Sequence, residues 1–186
     1  MFQPHKALVK RCIRKDPAAQ KELYQRFSPA LMAVCYRYAR DREAAEDMLQ
    51  EGFIKIFQNL NKYTFKGSLE GWMRRIMVNT SIDILRKTKN QQKETDIEDA
   101  YGEEVSDDAI DSLELEYLFN LIQNLPTGYR LVFNMYAVEG YSHKEIGTKL
   151  GISESTSRSQ YTRARSLLKK RIYEDNLETK LYRDAI

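Results

Sequence analysis

Apolar residues recur at threes and fours along most of this 186-residue chain, the spacing of one helix face rather than of a strand. The helical pattern is continuous from Pro4 to Lys87, and one segment, about Ala18 to Arg40, sets Leu23, Phe27, Leu31, Val34, Cys35 and Tyr38 on one stripe. Asp41 then offers an N-cap, and Ala45, Leu49, Phe53, Ile56, Phe57 and Leu60 form the stripe of a second helix. Asn61–Gly67 interrupts the pattern as a turn. Ser68 caps again, and Leu69, Trp72, Met73, Ile76, Met77 and Ile84 mark a third long helix. Three helices with short loops predict a compact bundle over residues 1–87.

Periodicity is lost across Thr88–Asp111. That stretch is polar, acidic and nearly free of large apolar residues, which predicts a flexible linker over residues 88–111. A second bundle is expected over 112–175, with a C-terminal tail over 176–186. Leu113, Leu115, Leu118, Leu121, Ile122 and Leu125 start it, Pro126-Thr127-Gly128 reads as a turn, and Leu131, Val132, Met135 and Tyr136 follow at helical spacing. The fold class is all-α, in two small domains.

Within the second bundle, Gly140–Arg165 has helix–turn–helix grammar. Ser142 and Glu145 are spaced as a capping box, Ile146 and Leu150 share a face, and Gly151 stands where a left-handed residue ends a helix. Ile152 can close the small core, and Ser153 can cap the next helix. On that helix Ser157, Tyr161, Ala164 and Leu168 share the face expected to be buried, although Ser157 is small and polar for such a place. Arg158, Thr162 and Arg165 line another face, with Arg163 beside it. The second helix of such a unit enters the DNA major groove, where a guanidinium pairs with guanine or clamps a phosphate. A solvated basic face on an ordinary helical hairpin is the alternative.

Charge sharpens this picture. Residues 1–93 carry 19 Lys/Arg against 9 Asp/Glu, residues 94–128 carry 11 acids and no base, and residues 129–186 carry 11 bases against 7 acids. Two basic blocks separated by an acidic strip suit a polyanionic partner touched by both ends. No apolar run reaches the ~18 residues of a membrane span, and the N-terminus has no signal-peptide core, so a cytoplasmic protein is expected. Cys12 and Cys35 lack CxxC spacing, and His5 and His143 are the only histidines. No metal site, no cofactor and no catalytic group is expected.

Two features of the first bundle exceed what packing requires. Asp47, Gln50, Glu51 and Gln58 lie away from the apolar stripe, forming either a protein-docking surface or a solvated face. Tyr63-Thr64-Phe65-Lys66-Gly67-Ser68 leads into a helix where Arg75, Asn79, Ile82 and Arg86 are spaced as one face, with Arg74 alongside. Aromatic rings in a glycine-containing loop beside arginines suit an unstacked single strand. Trp72 falls on the apolar stripe, where core packing accounts for most of it.

Together these residues resemble a known family. ELYQRFSPALMAVCYRYA, DREAAEDMLQEGFIKIFQNL and FKGSLEGWMRRIMVNTSIDILRK resemble the region-two domain of bacterial extracytoplasmic-function (ECF) sigma factors. LPTGYRLVFNMYAVEGYSHKEIGTKLGISESTSRSQYTRARSLLKK resembles their region-four domain. The resemblance covers about Ala18–Lys87 and Leu113–Lys170. It implies a non-enzymatic promoter-specificity subunit that binds core RNA polymerase, through the β′ clamp and the β flap, and promoter DNA. It also implies control by an anti-sigma factor, in this family often membrane-bound.

Residue by residue, Asp47, Gln50, Glu51 and Phe53 match the helix that docks on the β′ coiled coil. Tyr63, Phe65, Lys66 and Ser68 match the loop that captures a flipped base of the −10 element. Trp72, Arg74, Arg75 and Asn79 match the helix that supports melting. Ser157, Arg158, Ser159, Thr162, Arg163 and Arg165 fall on the helix matching the −35 reader. Ser155-Thr156-Ser157 stands where the family often has Gly-Thr-Val, and Gln160-Tyr161 replaces a commoner basic–apolar pair, so the preferred −35 sequence does not follow from the resemblance. A dimeric DNA-binding regulator and a helical interaction module are the rival readings of the residues alone.

Overall fold

The structure, a computed structural model, describes residues 5–92 and 113–184, with side chains described over 5–88 and 117–175. It is helical, with no strand among the described residues, and divides into two compact units. No helix among the described residues is long and apolar enough to cross a membrane.

The first unit holds α1 (Lys6–Ile13), α2 (Pro17–Tyr36), α3 (Arg42–Asn59), a 3₁₀ turn (Leu60–Lys62) and α4 (Leu69–Gln92). Helix α1 opens the stretch read as helical from Pro4 onward and buries Leu8, Val9 and Cys12. Lys15, in the left-handed region at φ 62°, turns the chain so that Asp16 N–H reaches Arg11 O at 3.2 Å. Asp16 then caps α2 by accepting from Ala18 N and Ala19 N at 3.0 and 3.1 Å, with Pro17 at the first helical position. The Arg11 side chain hydrogen-bonds Asp16 and holds its carboxyl below the usual range.

The expected stripes converge here. Leu23, Phe27, Leu31, Val34, Cys35 and Tyr38 of the first, and Ala45, Leu49, Phe53, Ile56 and Leu60 of the second, are all buried. Helix α2 ends at Tyr36 rather than near Arg40, and Tyr38 enters the core from the following turn. Asp41 caps α3, accepting from Ala44 N at 2.8 Å. From α4 come Leu69, Met73, Met77, Val78 and Ile82. Ile82 therefore faces the core, and the proposed row Arg75–Asn79–Ile82–Arg86 is not one exposed face. Burial pushes the Cys35 thiol up to about 12, so it packs as a small apolar group.

Helix α4 continues past Lys87 to Gln92, into the segment expected as linker; residues 93–111 lie outside the described residues. Polar residues such as Lys, Gln and Arg sustain a helix without an apolar stripe.

The second unit holds α5 (Leu113–Gln123), α6 (Thr127–Phe133) running into a π turn (Asn134–Val138), α7 (His143–Leu150) and α8 (Glu154–Asp184). The turn before α6 is shorter than expected, since Thr127 and Gly128 are already helical. Arg130 is buried, and its Nη1 donates to Gln123 O and Oε1 at 3.1 and 2.9 Å, tying α6 to the end of α5. Leu121, Leu125, Val132, Met135, Ile146 and Ala164 make the core, while Leu118 is exposed. The side chains of Leu113 and Leu115 lie outside those described. Helix α8 runs on to Asp184 where a tail was expected from residue 176.

Candidate nucleic-acid interface

The helix–turn–helix is built as its residue types dictate. Ser142 Oγ accepts from Glu145 N at 3.3 Å, and Ser142 N donates to Glu145 Oε2 at 2.9 Å, completing the capping box. Gly151 takes φ 68°, and Ile152 N returns to Gly147 O at 3.0 Å. A Cβ on Gly147 would stand 2.7 Å from Ile152 O, so the turn backbone lies where a side chain would be. Ser153 Oγ accepts from Thr156 N at 3.0 Å and starts α8.

Behind the recognition helix sits a polar joint. Ser157 is wholly buried, with its Oγ 3.0 Å from His143 Nδ1. The His143 ring stacks on Tyr136 at 4.2 Å and 9°, and Tyr136 lies 4.6 Å from Tyr161. Burial, then the neighbouring Arg158 charge, lowers the His143 pKa from its usual 6.5. Ser157 is thus a support that orients α8 from inside, correcting its place among DNA-facing residues. Its small polar character follows from its partner 14 residues earlier.

The other expected contacts, Arg158, Ser159, Thr162, Arg163 and Arg165, are exposed. Arg158 Nη2 pairs with Glu154 Oε1 at 2.6 Å, which holds the guanidinium along the helix. Arg163 Nη1 donates to Tyr129 OH of α6 at 3.4 Å, and the Arg165 guanidinium lies 5.8 Å from the Tyr161 ring centroid. Ser159 and Thr162 donate their hydroxyls to Thr156 O and Arg158 O of their own helix. Their oxygens keep acceptor capacity for an outside donor.

The first unit carries a surface of another kind. After the 3₁₀ turn the chain crosses Tyr63–Ser68, with Phe65 at φ 58° and Gly67 at φ 82°. Left-handed backbone is costly for phenylalanine, and such strain clusters at ligand sites. Tyr63 is mostly buried, and its hydroxyl donates to Gly67 O at 2.9 Å across the loop. Its ring lies 5.1 Å from Phe65 and 5.5 Å from Trp72, so three rings form one cluster. Tyr63 is the inner wall; Phe65 and Trp72 are half-buried. Lys66 is exposed, and Ser68 Oγ accepts from Gly71 N at 3.3 Å, capping α4. Along α4, Arg75 is exposed while Arg74 and Asn79 are half-buried.

On α3, Asp47, Gln50, Glu51 and Gln58 are exposed. Phe53 is only 3% exposed and packs 4.5 Å from the Tyr24 ring, so it stands behind that face rather than on it. The stripe periodicity already placed it in the core. A large apolar group at this surface is Ile54, 51% exposed, which the polar pattern of the helix does not announce.

A helix–turn–helix with an exposed arginine-bearing surface, joined in one chain to a strained aromatic loop beside a second basic helix, defines a two-domain DNA-binding protein. Comparison with known proteins narrows the class. The Sigma-70 region 2 family matches residues 23–91, and the Sigma-70, region 4 family matches residues 115–168. The chain is 30% identical over 183 residues to the ECF RNA polymerase sigma factor SigW of Bacillus subtilis, spanning 90% of this chain and 96% of that one. It is 29% identical over 178 residues to the ECF RNA polymerase sigma-E factor of Haemophilus influenzae, spanning 89% and 94%. Against SigE of Mycolicibacterium smegmatis the identity is 28% over 166 residues, 85% of this chain and 63% of the relative. A solved structure of RpoE from Bartonella quintana, in complex with the anti-sigma factor NepR, shares the fold with TM-score 0.55 at 21% identity, covering 81% of this chain and 94% of that chain. The chain belongs to the ECF family of RNA polymerase sigma factors. It is a transcription initiation factor that binds core polymerase and promoter DNA, and not an enzyme.

Proposed function

We propose that the two units divide promoter recognition between duplex and single-stranded DNA. In the second unit α8 enters the major groove of the −35 element. Arg158 and Arg165 face the DNA with Ser159 and Thr162, while Arg163, tied to Tyr129, steadies the approach from the α6 side. In the first unit the Tyr63–Ser68 loop captures an unpaired −10 base against Phe65 and Trp72, and Lys66, Arg74, Arg75 and Asn79 follow the strand. Flipping the base costs a few kcal/mol, offset by stacking of about 1–3 kcal/mol per base. Asp47, Gln50 and Glu51 present the polar face that meets the β′ clamp, and the second unit meets the β flap. The protein works in the cytoplasm with its polymerase.

The observation that carries this reading is the strained Phe65 inside a three-ring cluster, in a chain that also presents a complete helix–turn–helix. A dimeric regulator needs only the latter. Control by a separate anti-sigma protein is supported by the related fold of RpoE, which was solved with NepR. Reconstitution with core polymerase and a broad promoter library is the test. Specific transcripts above core alone are expected, and their absence across the library would overturn the reading.

A further inference from the structure

Helix α1 contributes one residue to the loop that neither the loop nor α4 supplies. Lys6, its first residue, places its ammonium 5.8 Å from the centroid of the Phe65 ring. That is the outer reach of a cation–π contact. Helix stability does not explain a lysine there. The first turn of α1 contains no acid, and a cation at a helix N-terminus opposes the macrodipole. The helix is nevertheless well fixed: Leu8, Val9 and Cys12 are buried, and α1 packs on α2 and on the Leu60–Lys62 turn. His5, the residue before it, sets its ring edge-on to Phe27 at 5.4 Å. Lys6 is exposed on this anchored base.

We propose that Lys6 contacts the phosphate backbone of the unpaired −10 strand at the nucleotide whose base stacks on Phe65, making α1 part of the −10 site. This rests on the −10 reading of the loop given above. The ammonium lies over the Phe65 ring, so a base stacking on that face displaces it on its flexible stem, within reach of the same nucleotide's phosphate. A point charge on a flexible stem suits a phosphate that varies little with sequence. Lys6 therefore adds affinity and salt dependence without base choice. Its charge is delivered by an element outside the continuous stretch Tyr63–Asn79, which hides it from any reading confined to that stretch.

The test uses holoenzyme and a fluorescent single-stranded oligonucleotide carrying the non-template −10 sequence of a promoter selected from the library. Binding is titrated across a salt series. Lys6→Met keeps the stem over Phe65 and removes the charge. It is expected to weaken binding several-fold and to reduce the log–log salt slope by about 0.7, the loss of one single-strand phosphate contact. Lys6→Arg is expected to restore both. Thermal unfolding of each variant checks that the first unit is intact. If Lys6→Met changes neither affinity nor slope while Phe65→Ala and Arg75→Ala weaken binding, Lys6 only covers the ring and the inference falls. If Phe65→Ala and Arg75→Ala also leave binding unchanged, the −10 reading falls with it.

Discussion

The two proposed DNA surfaces are made by opposite means. The −35 surface is a regular helix whose cap, glycine turn and buried His143–Ser157 joint are all satisfied, leaving exposed arginines on a rigid rod. The proposed −10 surface is a short loop that holds Phe65 in left-handed backbone, braced by the Tyr63 hydroxyl bond to Gly67 O and by the Tyr63–Phe65–Trp72 ring cluster. A duplex has a fixed groove, so a rigid convex element reads it best. An unpaired base has no fixed place until something holds it, so its site must be a shaped recess. On the proposed reading, stability and strain are distributed by the form of DNA each unit meets.

The largest expected effect tests the rigidity of the duplex reader. Gly147→Ala drives a Cβ against the turn backbone at Ile152 O, and should destabilise the second unit by about 2–3 kcal/mol. Hydrogen exchange should show lost protection across α7 and the start of α8, with the first unit unchanged. Gly52→Ala in α3 meets the thioether end of the flexible Met77 side chain rather than backbone, and should cost less. Equal costs would break the contrast.

Arg158→Ala comes next. Its ion pair with Glu154 is exposed and contributes little to stability. Loss of a bidentate base contact should reduce discrimination at one −35 position by about 1–3 kcal/mol. A uniform loss over all sequences would instead assign Arg158 to a phosphate. Tyr63→Phe removes the hydroxyl bond to Gly67 O, worth about 1 kcal/mol. It should slow promoter opening severalfold and leave binding to duplex −35 DNA unchanged; an equal loss of both would argue against a separate −10 site.

The smallest effect is a pH dependence. The folded pKa of His143 lies below its unfolded value of 6.5 because burial disfavours the charged ring. The unfolded chain then takes the proton first as pH falls, so the stability contribution is complete above 6.5 and lost below it, through the folded pKa. Urea midpoints of the second unit should fall from neutral pH towards about pH 5, less so in His143→Gln. The same sign holds for His5 in the first unit, where burial and then Arg26 depress the ring.

Local signals were the most legible in the sequence. The caps at Asp41, Ser142 and Ser153 and the left-handed Gly151 depend only on residues within three or four positions, and each forms as its spacing implies. The apolar stripes likewise converge because periodicity is a local property. What was hidden depends on distance or on polar helix. Ser157 faces inward because of His143, and Lys6 reaches a ring far along the chain. The ends of α4 and α8 continue on polar residues without a stripe to announce them. Phe53 shows that burial decides which residues of a helix named by resemblance are open to a partner.

The division between duplex and single strand is tested most directly by open-complex formation on two forms of one promoter, fully paired and with mismatches that keep the −10 bases unpaired. Holoenzyme carrying Arg158→Ala with Arg165→Ala should fail on the paired promoter and recover on the mismatched one, because the loop still captures a base. Holoenzyme carrying Phe65→Ala should remain impaired on both. Equal recovery of the two variants, or recovery of Phe65→Ala alone, would contradict the account.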